Sequence, residues 1–190
     1  MTFRPVFRAA LAAVSVLGLA ACETTGTLKP LPSVAEVDNP EAANASKENI
    51  ASLSEVVSRN PQDAQAFNTR GAALAKSGRF ADAVADFTKA IQINPGFAPA
   101  YLNRGLAHRQ MMKNDLAYGD FNRAIETDPN YAQAYLARGN LARAQGDDQA
   151  ASQDLSAAIR IKPDMAEAYH SRGLIHQRQG QHALAVSDFD

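Results

Sequence analysis

The 190-residue sequence predicts an all-α solenoid in which short helical hairpins stack side by side. Three observations predict this fold. Prolines recur every 34 residues, at Pro61, Pro95, Pro129 and Pro163. An aromatic residue precedes an Arg-Gly pair in each period, and an alanine and a bulky apolar residue follow at fixed intervals. A period of this length is typical of units that bury apolar surface only against their neighbours.

Each position of the period holds one kind of residue. The aromatic residues are Phe67, Tyr101, Tyr135 and Tyr169, and the pairs are Arg70-Gly71, Arg104-Gly105, Arg138-Gly139 and Arg172-Gly173. The alanines are Ala83, Ala117, Ala151 and Ala185, and the bulky residues are Phe87, Phe121, Leu155 and Phe189. Over residues 64–190 this pattern closely resembles the tetratricopeptide repeat, a pair of antiparallel helices. The resemblance implies about three and a half to four repeats.

The glycines of the Arg-Gly pairs, Gly71, Gly105, Gly139 and Gly173, lie inside predicted helices. A helical glycine costs about 1 kcal/mol relative to alanine, so each unit must gain something in return, and close helix approach is the expected gain. We expect the second-helix alanines to face these glycines and the bulky residues to fill wider gaps between units.

The prolines and three further glycines predict where helices end. Proline disfavours helical angles in the residue before it, so we expect helices to end at Asn60, Asn94, Asp128 and Lys162. Gly78, Gly146 and Gly180 mark the turn inside a unit. The second unit has Met112 at that turn and Gly119 in its later helix, which predicts that it is the least regular.

The predicted units are 64–97, 98–131, 132–165 and the incomplete 166–190. Before them, residues 46–63 carry Ile50, Leu53 and Val57 at helical spacing, which indicates a half-repeat that covers the first face of the stack. The sequence stops at Asp190 inside a helix, before any polar capping helix. Either the polypeptide continues or the bare end pairs with another protein, and we favour the first interpretation.

Residues 1–21 have the pattern of a secretory signal peptide. Arg4 and Arg8 precede the uncharged run Ala9–Ala21, which is shorter than the ~20 residues that span a bilayer. The run ends in Leu19-Ala20-Ala21-Cys22, which resembles the bacterial lipobox, and Cys22 is the only cysteine. The resemblance implies that Cys22 is lipidated and becomes the new N-terminus. More than one acyl chain would give a stable membrane anchor.

Residues 22–45 are rich in Thr, Pro, Ala, Asn and Glu, which predicts a disordered tether behind the lipidated cysteine. Glu23 stands where an Asp favours inner-membrane retention in enteric bacteria, so the expected location is the outer membrane, facing the periplasm. Loss of Arg4 and Arg8 would change the net charge from −1 to −3. With no basic patch or lysine run in the sequence, no nucleic-acid partner is expected.

The sequence offers little for catalysis. His170 and His176 point to nearly opposite sides of a helix, and His108 and His176 lie two units apart, so no zinc site is expected. No phosphate loop, nucleophile motif or carboxylate pair stands out. We therefore predict a protein that is not an enzyme and has no cofactor.

Each arginine of the Arg-Gly pairs precedes an aspartate by 16 residues: Asp86, Asp120, Asp154 and Asp188. This regularity predicts ion pairs between the helices of a unit or between units. The alternative is a ladder of arginines offered to an acidic ligand.

The family resemblance implies that the first helix of each unit lines a concave groove. The groove positions with the clearest binding chemistry are Asn68, Leu102, Leu106, Arg109, Leu136, Asn140, Arg143, His170 and Leu174. The leucines could receive apolar side chains, the asparagines could bond a peptide backbone, and the arginines could pair with acidic groups. The chaperone-binding members of the family clamp a C-terminal carboxylate with lysines at set groove positions. In this sequence those positions hold Asn68, Leu102, Leu136 and His170, so carboxylate clamping of this kind is not expected.

These features predict a non-enzymatic scaffold, lipid-anchored in the bacterial envelope, whose groove binds other envelope proteins or peptides. Similar outer-membrane repeat lipoproteins are adaptors for peptidoglycan hydrolases or assist assembly of pilus and secretion pores, and the sequence does not choose between these. The alternative is an accessory structural subunit of a pilus or secretion complex that uses its convex face or its C-terminal end.

Overall fold

The computed structural model describes the backbone of residues 40–190 and the side chains of residues 47–190. This part of the chain is helical and contains no strand. The helices are α1 Pro40–Arg59, α2 Ala64–Lys76, α3 Phe80–Ile93, α4 Ala98–Gln110, α5 Asn114–Thr127, α6 Ala132–Ala144, α7 Asp148–Ile161, α8 Ala166–Arg178 and α9 His182–Phe189. None of these helices is long and apolar enough to span a bilayer. The signal peptide, Cys22 and the predicted tether up to residue 39 lie outside the described residues.

The predicted helix ends are confirmed. Helices α1, α3, α5 and α7 each end one residue before Asn60, Asn94, Asp128 and Lys162. The following proline turn is short, and the next helix begins at Ala64, Ala98, Ala132 or Ala166. Asp63 caps α2, since its Oδ1 accepts hydrogen bonds from the amides of Gln65 and Ala66. Helix α1 begins at Pro40, six residues before the predicted position 46, and proline suits a first helical turn because no amide hydrogen is needed there.

The second unit is as regular as the others, so the prediction that it would be the least regular is wrong. Its helices match those of the first and third units in length. Met112 takes the left-handed conformation, with φ 60°, that Gly78, Gly146 and Gly180 take in the other turns. The hydrogen bond that closes the turn also forms, from the Lys113 amide to the His108 carbonyl at 2.9 Å. The hairpin packing therefore imposes the turn on a residue that disfavours it.

Replacing Met112 by glycine should raise the free energy of unfolding by about 1 kcal/mol, because a left-handed backbone is strained in a residue with a Cβ. Met112 is 81% exposed, so little packing is lost. Chemical denaturation measures the change. The reverse substitution, Gly78→Ala, is the control: no atom lies within 4 Å of the added Cβ, so it should destabilise by a similar amount through the backbone alone. An unchanged or lowered stability of M112G would contradict the strain argument.

The helices pair as α2 with α3, α4 with α5, α6 with α7 and α8 with α9, and α1 packs against α2. We call α2, α4, α6 and α8 the A helices and α3, α5, α7 and α9 the B helices. Each A helix also approaches the next A helix, whereas within residues 40–190 no two B helices approach each other directly. The A helices therefore form the tighter layer, and the stack curves with the A helices on its concave side.

The hydrophobic core crosses the boundaries between units. One cluster contains Phe121 of unit 2 together with Ala134 and Leu141 of unit 3, and another contains Phe67 of unit 1 with Ala100 of unit 2. Ile91 packs against both clusters. Val57 of α1 lies in the first-unit cluster, so α1 covers the open face of unit 1 as the sequence predicts. Each hairpin thus completes the interior of the next.

The glycines of the Arg-Gly pairs face a different partner from the predicted one. A Cβ on Gly71, Gly105 or Gly173 would lie within 2.4 to 2.7 Å of the ring of Phe87, Phe121 or Phe189. The bulky residue of the same unit, rather than the small alanine, therefore occupies the space that glycine leaves. In the third unit Leu155 takes this place and would lie 3.1 Å from a Cβ on Gly139.

Candidate functional site: the concave surface

The predicted groove residues lie on the A helices at spacings of three and four, so they share one face of each helix. Their exposure differs from position to position. Asn68, Leu102 and Leu136 are buried, with 7%, 6% and 8% of their surface exposed. Half-buried are Leu106, Arg109, Asn140, Arg143 and Leu174, and His170 is exposed. The surface open to a partner is therefore formed mainly by these last six residues.

The three buried residues mostly serve contacts between units. Leu102 belongs to the core cluster that also contains Ala134 and Ala137 of the next A helix. The side-chain carbonyl of Asn68 accepts a hydrogen bond from the Asn103 amide at 2.9 Å. That carbonyl is committed to the neighbouring unit, so a peptide backbone would have to use the amide end of Asn68.

Two groove residues on α6 have polar atoms that are enclosed without a partner. Oδ1 of Asn140 accepts no hydrogen bond and Nε of Arg143 donates none, although solvent reaches neither atom. The two residues are three apart and lie on the same helix face. An enclosed polar group without a partner costs about 1–3 kcal/mol. This part of the groove is therefore an incomplete hydrogen-bond network.

The arginines of the Arg-Gly pairs are occupied within the fold. Arg138 donates through Nε and Nη2 to the two carboxylate oxygens of Asp154, at 2.8 and 2.7 Å. Its guanidinium lies 5.8 Å from the ring centroid of Tyr135. The same arrangement joins Arg70 to Asp86, Arg104 to Asp120 and Arg172 to Asp188. The predicted ion pairs are thus present in all four units, between the two helices of one hairpin.

The third guanidinium nitrogen reaches the preceding unit, a contact that the sequence analysis missed. Nη1 of Arg104, Arg138 and Arg172 donates to Thr88, Asn122 and Ser156 at 3.1, 2.7 and 3.1 Å. The signal is present in the sequence, because a small polar residue recurs 16 residues before each of these arginines. The hydrogen bond to the paired aspartate raises the pKa of Arg70, Arg138 and Arg172 above the ordinary arginine value. These arginines hold the fold and are not free for a ligand.

The histidines do not converge on a site. Nδ1 of His108 lies 3.0 Å from Oδ2 of Asp120, beside the Arg104 pair. Nδ1 of His176 lies 2.6 Å from Oε1 of Gln181, and the His170 ring lies 5.6 Å from that of Phe189. No group of three or more potential metal ligands occurs in the described part of the chain. The histidines thus take part in local contacts, and the concave surface stays the candidate site.

Comparison with known proteins agrees with this architecture. The family profile described as "Tetratricopeptide repeat" matches residues 64–97 and 98–131, and the one described as "TPR repeat" matches residues 139–180. No curated protein is significantly similar in sequence to this chain.

Several solved structures share the fold. The crystal structure of MamA aligns over 80% of this chain and 89% of its own, with 25% identity and a TM-score of 0.67. The first TPR of Spaghetti (RPAP3) bound to HSP90 peptide SRMEEVD aligns over 63% and 94%, with 25% identity and a TM-score of 0.60. YrrB, a TPR protein with an unusual peptide-binding site, aligns over 72% and 71%, with 19% identity and a TM-score of 0.62, which shows the fold alone.

Proposed function

Since the chain is a tetratricopeptide-repeat protein, we propose that it is a non-enzymatic scaffold whose concave surface binds partner proteins or peptides. One observation carries this proposal: the A-helix face of units 2 to 4 combines apolar Leu106 and Leu174 with polar Asn140 and Arg143, all four half-buried. Apolar area with a few polar groups is the composition of a peptide-binding groove. The structure bound to the HSP90 peptide supports the same use of this fold.

The N-terminal sequence supports a proposed location. In the proposal, residues 1–21 export the chain, Cys22 carries the lipid, and the repeats face the periplasm from the outer membrane. The partners are then other envelope proteins, and the scaffold acts as an adaptor in envelope biogenesis.

Replacing Cys22 by serine should move the protein from the membrane fraction to the soluble fraction, because serine cannot form the thioether. Fractionation followed by immunoblotting measures the shift, and metabolic labelling with an alkyne fatty acid should label the wild type only. The control is a serine substitution at Thr24, two residues after the anchor, which should leave both readouts unchanged. Recovery of C22S wholly in membranes would contradict lipid attachment.

Replacing Leu106 by glutamate should abolish partner capture, because it places a charge in the half-buried apolar part of the groove. Leu116→Glu is the matched control, since Leu116 lies in the same unit but on α5, where it is 53% exposed. Affinity purification of the intact protein from detergent-solubilised envelopes compares the captured proteins. Thermal denaturation of both variants checks that the repeats stay folded.

The alternative, an accessory subunit that uses the convex face or the C-terminal end, gives the opposite pattern. It is favoured by exposed apolar side chains on the B helix α5, where Leu116 and Tyr118 are 53% and 45% exposed. In that case Leu116→Glu or Val186→Glu would remove the captured proteins and Leu106→Glu would not. Capture unchanged by Leu106→Glu would overturn the groove proposal.

A further inference from the structure

Besides the arginines of the Arg-Gly pairs, a second set of cations lies at one end of the A helices. Each A helix has a lysine or arginine in its last turn, and we call these four residues the basic strip: Lys76, Arg109, Arg143 and Arg178. The only acidic residue of the four A helices is Glu167, in the first turn of α8 at the opposite end. The whole chain has a net charge of −1, so the positive charge of the basic strip is opposite in sign to that of the protein as a whole.

The helix dipole alone does not account for the basic strip. A cation near a helix C-terminus is favoured by the partial negative charge there, which applies to A and B helices equally. Yet α3 and α5 have no basic residue in the last turn, although α7 has Arg160 there. In units 1 and 2 the last-turn cations are therefore confined to the A helices.

Most of the basic strip lacks an anion. Arg178 pairs with Asp148 of the preceding unit. Lys76, Arg109 and Arg143 form no ion pair within the described side chains, whereas all four arginines of the Arg-Gly pairs do. Arg143 is half-buried, and its Nε is enclosed without an acceptor beside the unpartnered carbonyl of Asn140. A partly desolvated guanidinium without a counter-charge is a site that a carboxylate stabilises.

We propose that the groove, in the function proposed above, takes an extended acidic peptide segment whose carboxylates pair with Arg109 and Arg143. The Asn140 amide, one turn before Arg143 on α6, bonds the backbone of the segment. Leu106 and Leu174 contact its apolar atoms. The groove thus recognises a negatively charged, extended segment rather than a helix or an apolar segment.

The repeat geometry also fixes the spacing of the carboxylates. Arg109 and Arg143 are equivalent residues of adjacent units, and packed helices lie about 8–10 Å apart. A polyproline II segment has three residues per turn and rises ~3.1 Å per residue, so side chains three apart share a face at ~9 Å. Same-face side chains of a β-strand are about 6.7 Å or about 13 Å apart. Acidic residues at every third position of a polyproline II segment therefore fit.

Fluorescence anisotropy with defined peptides tests this inference on the full chain in detergent micelles. The probe is fluorescein-labelled (Glu-Pro-Pro)4, and the comparisons are (Gln-Pro-Pro)4 and a peptide of the same composition with its four glutamates adjacent. We expect the spaced acidic peptide to bind about tenfold tighter than the glutamine peptide. It should also bind tighter than the peptide with clustered charge. Equal binding of the glutamine peptide would overturn the proposal. Equal binding of the peptide with adjacent glutamates would overturn the proposed spacing of one carboxylate every third residue.

Variants separate the proposed site from general attraction. Arg109→Gln and Arg143→Gln should each weaken binding of the spaced acidic peptide by about tenfold. Arg160→Gln removes an exposed arginine from the B helix α7 and should leave the affinity unchanged. Circular dichroism confirms the fold of each variant. An equal loss with Arg160→Gln would show that net charge alone drives binding, and it would overturn the assignment to the groove.

An unbiased random-peptide display selection distinguishes this inference from the proposed function. Enrichment of acidic peptides that lose binding to Arg143→Gln supports both. Enrichment of neutral or apolar peptides that lose binding to Leu106→Glu leaves the scaffold function standing and overturns the acidic partner. A selection that enriches no peptide for the groove overturns both.

Discussion

Replacing Arg138 by alanine is expected to lower the free energy of unfolding by about 4 kcal/mol, because it leaves one member of a buried ion pair alone. Asp154 is 8% exposed, and its hydrogen bonds within the described residues come only from Arg138. The substitution also removes the contact with Tyr135 and the bond to Asn122 of the preceding unit. Urea denaturation followed by circular dichroism measures the change.

Arg104→Ala is the matched comparison, and we expect a smaller loss of about 2–3 kcal/mol. Its partner Asp120 keeps a neighbour, since His108 Nδ1 lies 3.0 Å from Oδ2, whereas the equivalent residue of unit 3 is Ala142. The exposed pair Arg123–Glu126 sets the lower limit, and Arg123→Ala should cost under about 1 kcal/mol. Equal losses in all three variants would show that the Arg-Asp pairs contribute no more than surface charges.

Replacing Gly105 by alanine is expected to destabilise the protein by about 2 kcal/mol, although alanine is the better helix former. The new Cβ would lie 2.6 Å and 2.8 Å from Cε1 and Cδ1 of Phe121, whose side chain is fully buried. Gly119→Ala is the control, since no atom lies within 4 Å of a Cβ there and the helix should gain up to about 1 kcal/mol. Thermal and chemical denaturation should therefore shift the two variants in opposite directions.

A second substitution tests the contact itself. The third unit has Leu155 opposite Gly139, where a Cβ would lie 3.1 Å from Leu155 Cγ and could be accepted with a small shift. Phe121→Leu should therefore recover part of the stability lost in Gly105→Ala, so that the double variant is more stable than the sum of the single changes predicts. Strict additivity would show that the ring of Phe121 is not what excludes a methyl group at position 105.

The sequence period predicts the hairpins and their ends because proline acts on the residue next to it, a local effect. The Arg-Asp pairs are predictable as well, since a constant separation of 16 residues puts the same two side chains together in every unit. Packing across helices is not local. The choice of Phe121 rather than Ala117 opposite Gly105, and the burial of Leu102 and Leu136, depend on how adjacent helices cross, which residue type alone does not encode. The unpartnered atoms of Asn140 and Arg143 also appear only in three dimensions.

Met112 shows how local backbone preference and tertiary packing interact. Its residue type argues against a left-handed turn, but the hairpin contacts on either side hold the backbone in that conformation. The residue type at position 112 therefore predicts an irregular second unit, whereas tertiary packing keeps that unit regular.

The bonds from Arg104, Arg138 and Arg172 to the preceding unit make the three junctions between units chemically alike. A duplicated copy of residues 98–131, inserted in phase, would find a polar acceptor behind it and supply one, Asn122, to the unit ahead. Gene duplication could therefore lengthen this array without new contacts between the units. Evolution can change the number of units one at a time.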